Sequence, residues 1–93
     1  MRKISQIQYK RFGDSFIPYR KTILSLIDDH MYLMQSYKYD LVSDAWCDLK
    51  ATAYYDENGI IRNGVVHICR GVYTSAYFDA LILYEGFSEI QGE

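Results

Sequence analysis

One four-residue turn does most to limit the folds open to this chain. Asp56-Glu57-Asn58-Gly59 carries an Asn-Gly pair, which readily takes the positive φ angles of a tight hairpin loop. Beyond it, Ile60, Ile61, Val65, Val66 and Ile68 are β-branched and favour extended backbone. A hairpin needs a strand before its turn as well, so residues 47–55 and 60–70 are expected to pair antiparallel. A two-residue Asn58-Gly59 loop sets Tyr55 opposite Arg62, and a four-residue loop sets Tyr55 opposite Ile60. The registers differ by two positions, so both keep the same residues on each face. Cys47, Leu49, Ala51, Ala53, Val66 and Ile68 share one face. Trp46, Tyr54, Ile61, Val65, His67 and Cys69 share the other. The four-residue loop also sets Asp48 opposite His67. The competing reading of 40–55 is a helix with Val42, Ala45, Trp46, Leu49 and Ala53 on one side; in the hairpin reading, 40–46 is a short helical turn opened by Asp40.

The periodicity upstream points to a helix. Ile23, Leu24, Ile27, Met31 and Met34 recur at three- and four-residue spacing, and Tyr19, Leu26, His30, Leu33 and Tyr37 widen the stripe. Asp14 or Ser15 can cap its start, and Pro18 is tolerated in a first turn. The spacing predicts a helix over about 15–37, packed on the hairpin. Residues 75–85 are read as a buried helix, capped by Thr74 or Ser75 and stopped by Gly86, with a third strand as the alternative. Residues 1–12 are an arm or a short helix whose Lys10, Arg11 and Gly13 resemble a helix C-terminus. The fold class expected is therefore α+β, in a single domain over 1–93.

Ten tyrosines and Trp46 are too many aromatic side chains for so short a chain to bury completely. Some are expected at an interface, where tyrosine supplies contact area with few rotatable bonds. The net charge of -2 conceals a division. Residues 1–21 carry Arg2, Lys3, Lys10, Arg11, Arg20 and Lys21 against Asp14, while the remainder is strongly acidic. No apolar run approaches the ~20 residues of a membrane-spanning helix. The basic Met1–Gln6 start is not followed by an apolar segment, so a cytoplasmic protein with reduced Cys47 and Cys69 is expected.

No motif points to catalysis, a metal or a cofactor. His67, Cys69, Cys47 and His30 match none of the paired spacings of zinc sites. Neighbours two apart on one strand, such as His67 and Cys69, are poorly placed as a base and nucleophile. Asp28-Asp29-His30 would diverge around a helix. No glycine pattern can cradle a phosphate. The basic and aromatic residues Lys3, Tyr9, Lys10, Arg11, Phe12, Tyr19, Arg20 and Lys21 match a nucleic-acid surface modestly, and the acidity of the whole chain weighs against one. If 40–48 is helical, Asp40, Asp44 and Asp48 form a regular acidic row able to imitate a phosphate backbone.

Small size, acidity, tyrosine content and the lack of catalytic chemistry are similar to those of small stoichiometric inhibitors, such as phage anti-defence or toxin-immunity proteins. The expected function is binding to another protein, with Trp46, Tyr54, Tyr55, Asp44, Asp48 and Asp56 as contacts: aromatic anchors ringed by charge. The alternative is a self-assembling dimer or structural subunit held by the basic N-terminal arm. A nucleic-acid-binding protein and a small Cys/His enzyme rank below these.

Overall fold

A computed structural model of the chain describes residues 1–48, 54–55, 61–62 and 65–90. The elements are β1 (Lys3–Phe12), β2 (Ser15–Asp28), β3 (Met31–Asp40), β4 (Ala45–Asp48), β5 (Tyr54–Tyr55), β6 (Ile61–Arg62), β7 (Val65–Ile68), α1 (Thr74–Tyr84) and β8 (Ser88–Glu89). One antiparallel sheet runs β4-β3-β2-β1-β8, and β7 joins it on β3. Two strands therefore share one edge of β3: β4 lies along Tyr37–Asp40 and β7 along Met31–Met34. The β5–β6 pair forms a separate two-stranded sheet.

The helix expected over 15–37 does not form; that span is β2, a turn and most of β3. The apolar residues that looked helical belong to two strands. Leu24 pairs with Met34, and Leu26 with Tyr32, around a turn at Asp29-His30. The His30 amide donates to the Asp28 carboxylate at 2.8 Å, the self-closing bond that lets Asp favour turns. Ile17, Thr22, Ile23 and Ile27 are stiff at χ1 and suit a pleated surface better than a helix. Pro18 does not open a helix; it sits beside a bulge in β2, where the ladder is already interrupted.

Residues 1–12 hold β1, paired with β2 from Lys3 to Phe12. Gly13, at φ 59, opens the two-residue loop between Phe12 and Ser15. It is a hairpin glycine rather than a helix stop.

The expected hairpin strands are also corrected. Residues 45–48 pair with β3, and among the described residues of the expected hairpin Tyr54–Tyr55 pair with Ile61–Arg62. Tyr55 lies opposite Ile61, one residue away from both registers expected from the sequence. A one-residue slip exchanges faces, so the expected face partition across this pair does not hold. The turn at 56–59 lies outside the described residues. Asp48 faces Tyr37 across the strands, not His67; His67 faces Tyr32 and stacks on its ring at 5.1 Å.

The core lies between one sheet face and α1. Ile4, Leu24 and Phe78 are buried, with Leu26, Tyr32, Met34, Tyr77, Leu81, Ile82 and Phe87 packed around them. Ile4, Leu24 and Met34 lie side by side across β1, β2 and β3, so they share the face that α1 covers. Thr74 is fully buried where the helix begins, and its amide donates to the Asp29 carbonyl at 2.6 Å. Tyr73 occupies the cap position without a side-chain cap, so neither Thr74 nor Ser75 caps as expected. Gly86, at φ 76, follows the helix. The segment is not buried on all sides: Leu83 and Tyr84 are 72% and 77% exposed.

Desolvation and a hydrogen bond with Tyr77 push the Tyr32 phenol up to about 12. The folded state holds this proton after the unfolded chain, near pH 10, has released it. The stability contributed by the protonated phenol is present below about pH 10 and is lost as pH rises to about 12. Urea denaturation of wild type and Tyr32→Phe should diverge over that window, the wild type losing more stability. Parallel curves would show that Tyr32 is not the group responsible.

Candidate interaction surface

The sheet face opposite α1 has no covering element among the described residues. Alternation from the core positions places Ser5 and Ile7 of β1, Lys21 and Ile23 of β2, and Leu33, Gln35, Tyr37 and Tyr39 of β3 on this open side. The facing residues Trp46 and Asp48 of β4 and Val66 of β7 extend it. Several are large and apolar, and Ile7 is 40% exposed.

An aromatic cluster stands at one edge of this face. Tyr39 and Trp46 are cross-strand partners whose rings meet edge-on, 5.2 Å apart at 70°. The Lys21 ammonium lies 5.1 Å from the Trp46 ring and 5.2 Å from the Tyr37 ring. Cation–π contacts at partly exposed sites contribute roughly 0.5–1 kcal/mol each, and here they hold rings and charge in one arrangement before any ligand arrives. All four side chains are half-buried, so each keeps area to offer.

Of the residues singled out in the sequence, the structure brings Trp46 and Asp48 onto this face, with Asp48 exposed beside Tyr37. Asp44 lies in the β3–β4 loop at φ 52, an angle few residues other than Gly, Asn and Asp adopt readily. Its place there is explained by the turn. Tyr54 and Tyr55 belong to β5, in the separate small sheet, and Asp56 lies outside the described residues. The site residues missed in the sequence are Tyr37, Tyr39 and Lys21. Their signal was the alternation Leu33, Gln35, Tyr37, Tyr39, which the helix reading concealed.

The acidic row also dissolves. Asp40 ends β3, Asp44 is in the loop and Asp48 ends β4, so 40–48 is a hairpin and not a helix. Asp40 accepts bonds from the Val42 amide at 3.0 Å and the Ser43 hydroxyl at 2.9 Å. These bonds, the Val42 amide foremost, hold its carboxyl below the usual range. A carboxylate committed to its own turn is a poor stand-in for a phosphate.

Among the described residues no three His, Cys, Asp or Glu side chains converge as a metal site would require. Cys47 is exposed and Cys69 is buried, both as free thiols. No helix among the described residues is long and apolar enough to cross a membrane. The chain matches no protein-family model, no curated protein and no solved structure.

Proposed function

We propose that this protein is a binding module that docks another protein on the open face of its sheet, with Tyr37, Tyr39 and Trp46 as anchors. The observation that carries this reading is the aromatic cluster, held in place by Lys21 on a face that α1 leaves uncovered. Interface energy is usually concentrated in a few aromatic or arginine anchors surrounded by polar residues, and Lys21, Gln35 and Asp48 supply that polar surround. A small protein acting by occupancy alone would be a stoichiometric inhibitor, the class suggested by the composition.

The second reading is self-assembly. Its specific support is the outer edge of β1, where β8 pairs only with Ile4 and Ser5. From Gln6 to Phe12 this edge has no described strand beside it. Lys10 and Arg11 lie on that stretch, and charge on an edge strand discourages a second copy from adding to it. The arrangement favours a different partner over a like one.

The test is affinity capture from a lysate of the source organism, with wild type and Tyr37→Ala/Trp46→Ala compared at equal folding by circular dichroism. A protein retained by wild type and released at least tenfold more readily by the double variant is the expected result. Equal retention by both folded proteins would sink the assignment. Sedimentation of the free protein separates self-assembly from both.

A further inference from the structure

We propose that the hairpin ribbon formed by β1 and β2 binds single-stranded nucleic acid, a site separate from the Tyr37–Trp46 cluster. The ribbon projects past the rest of the sheet. β2 pairs with β3 only from Arg20 onward, so Ser15–Pro18 pair with β1 alone and Tyr19 lies at the bulge between. Three large rings stand exposed there: Tyr9 at 55%, Phe12 at 58% and Phe16 at 67%. No folding requirement explains them, because the core lies at the opposite end of the strands, around Ile4, Leu24 and Phe78.

Cations are interleaved with these rings on both sides of the ribbon. Register places Tyr9 with Pro18 and Arg11 with Phe16 on one face. It places Lys10 with Ile17 and Phe12 with Ser15 on the other. At the base, Arg20 and Lys38 lie directly opposite each other on neighbouring strands, and both are exposed. Like charges in that position destabilise a sheet. Neither forms an ion pair with a described carboxylate. Asp40, two positions along from Lys38, bonds its own turn and is also attracted by the Lys38 charge, which leaves Arg20 without a described carboxylate partner. Asp14 is the sole acid from Tyr9 to Lys21.

A like-charge pair offset only on the Lys38 side, by Asp40, beside exposed aromatics is poor design for a free surface. It suits a polyanion whose phosphates neutralise the cations and release counterions. The rings select among polyanions. Unpaired bases stack on exposed aromatic side chains, whereas duplex bases already stack on each other and an acidic peptide has no comparable flat face. The overall negative charge of the chain does not oppose this local arrangement, since a short screening length lets one basic region act alone.

The test is fluorescence anisotropy of the full chain with labelled oligothymidylate, oligouridylate, duplex DNA of equal length and a poly-glutamate peptide. Preferential binding of the single strands, weakening steeply with salt, is expected. Tyr9→Ala/Phe16→Ala should weaken that binding about tenfold or more while leaving the salt slope unchanged. Arg20→Gln/Lys38→Gln should lower the salt slope by about two and raise the melting temperature, because it removes the repulsion. This second variant keeps the test decisive if the aromatic one fails to fold. Absent single-strand binding at low salt would overturn the proposal, as would equal affinity for duplex or poly-glutamate, or an unchanged salt slope in the Gln variant.

Discussion

Phe78→Ala is expected to cost about 3–5 kcal/mol, a large share of the roughly 5–15 kcal/mol that keeps a domain folded. Phe78 is fully buried and is the largest side chain in the core trio with Ile4 and Leu24. It meets Tyr32 edge-on at 5.8 Å. Removing the ring deletes the main contact between α1 and the sheet, and Leu26, Tyr32 and Met34 then border a cavity that the stiff strands cannot close. In isolation an 11-residue helix is marginal, so α1 depends on this contact to exist. Urea denaturation monitored by circular dichroism measures the effect. Phe78→Leu, which keeps most of the volume, should cost distinctly less. A loss below about 1 kcal/mol for the alanine variant would mean that α1 does not hold the sheet as described.

Arg2→Ala is expected to cost about 1 kcal/mol, less than buried charged hydrogen bonds give, because Asp79 and Glu89 are 69% and 38% exposed to screening water. The Arg2 guanidinium joins three distant parts of the chain. Its Nη1 donates to the Ser75 carbonyl at 3.1 Å and hydroxyl at 3.0 Å. Its Nη2 reaches Asp79 at 2.6 Å, and both Nε and Nη2 donate to Glu89. The guanidinium carbon also lies 5.7 Å from the centre of the Phe78 ring. These bonds to Glu89 and Asp79 strengthen the hold on its proton. Bonds of this kind fix β8 and α1 against β1 using one side chain. Arg2→Lys preserves the charge but not the planar fork, and should recover only part of the loss. Full recovery by lysine, seen in the same urea measurements, would reduce the role of Arg2 to charge alone.

The particular residues show why the sequence was only partly legible. Ile23, Leu24, Ile27, Met31 and Met34 satisfy a helical spacing by coincidence: they straddle a turn at Asp29-His30, and a run this apolar fits several periods. The decisive local signals were Asp28-Asp29 as turn formers and β-branched Ile17, Thr22, Ile23 and Ile27. Gly13 after Lys10 and Arg11 is ambiguous for a related reason, since one positive-φ residue ends a helix or closes a hairpin equally well. Gly86 was read at the right place because the apolar run before it is short and is stopped within a few residues. Trp46 was identifiable as a candidate anchor from its chemistry. Tyr37 and Tyr39 were not, because their shared face exists only once β3 is recognised as a strand.

The shared edge of β3 bears on chain length. Along β3, the pairing with Asp48 ends at Tyr37 and the pairing with Val65 begins at Met34, only three positions away. The polypeptide takes 17 steps to join those two partners. The described part of that connection, the β5–β6 pair, forms its own sheet, and the main sheet asks that Asp48 and Val65 keep their places. Closing a longer or shorter connection changes stability slowly, by roughly 0.6 kcal/mol per doubling. A change of length between Asp48 and Val65 is therefore expected to leave the pairing of β4 and β7 with β3 intact, which amide exchange of Met31–Met34 and Tyr37–Asp40 would check.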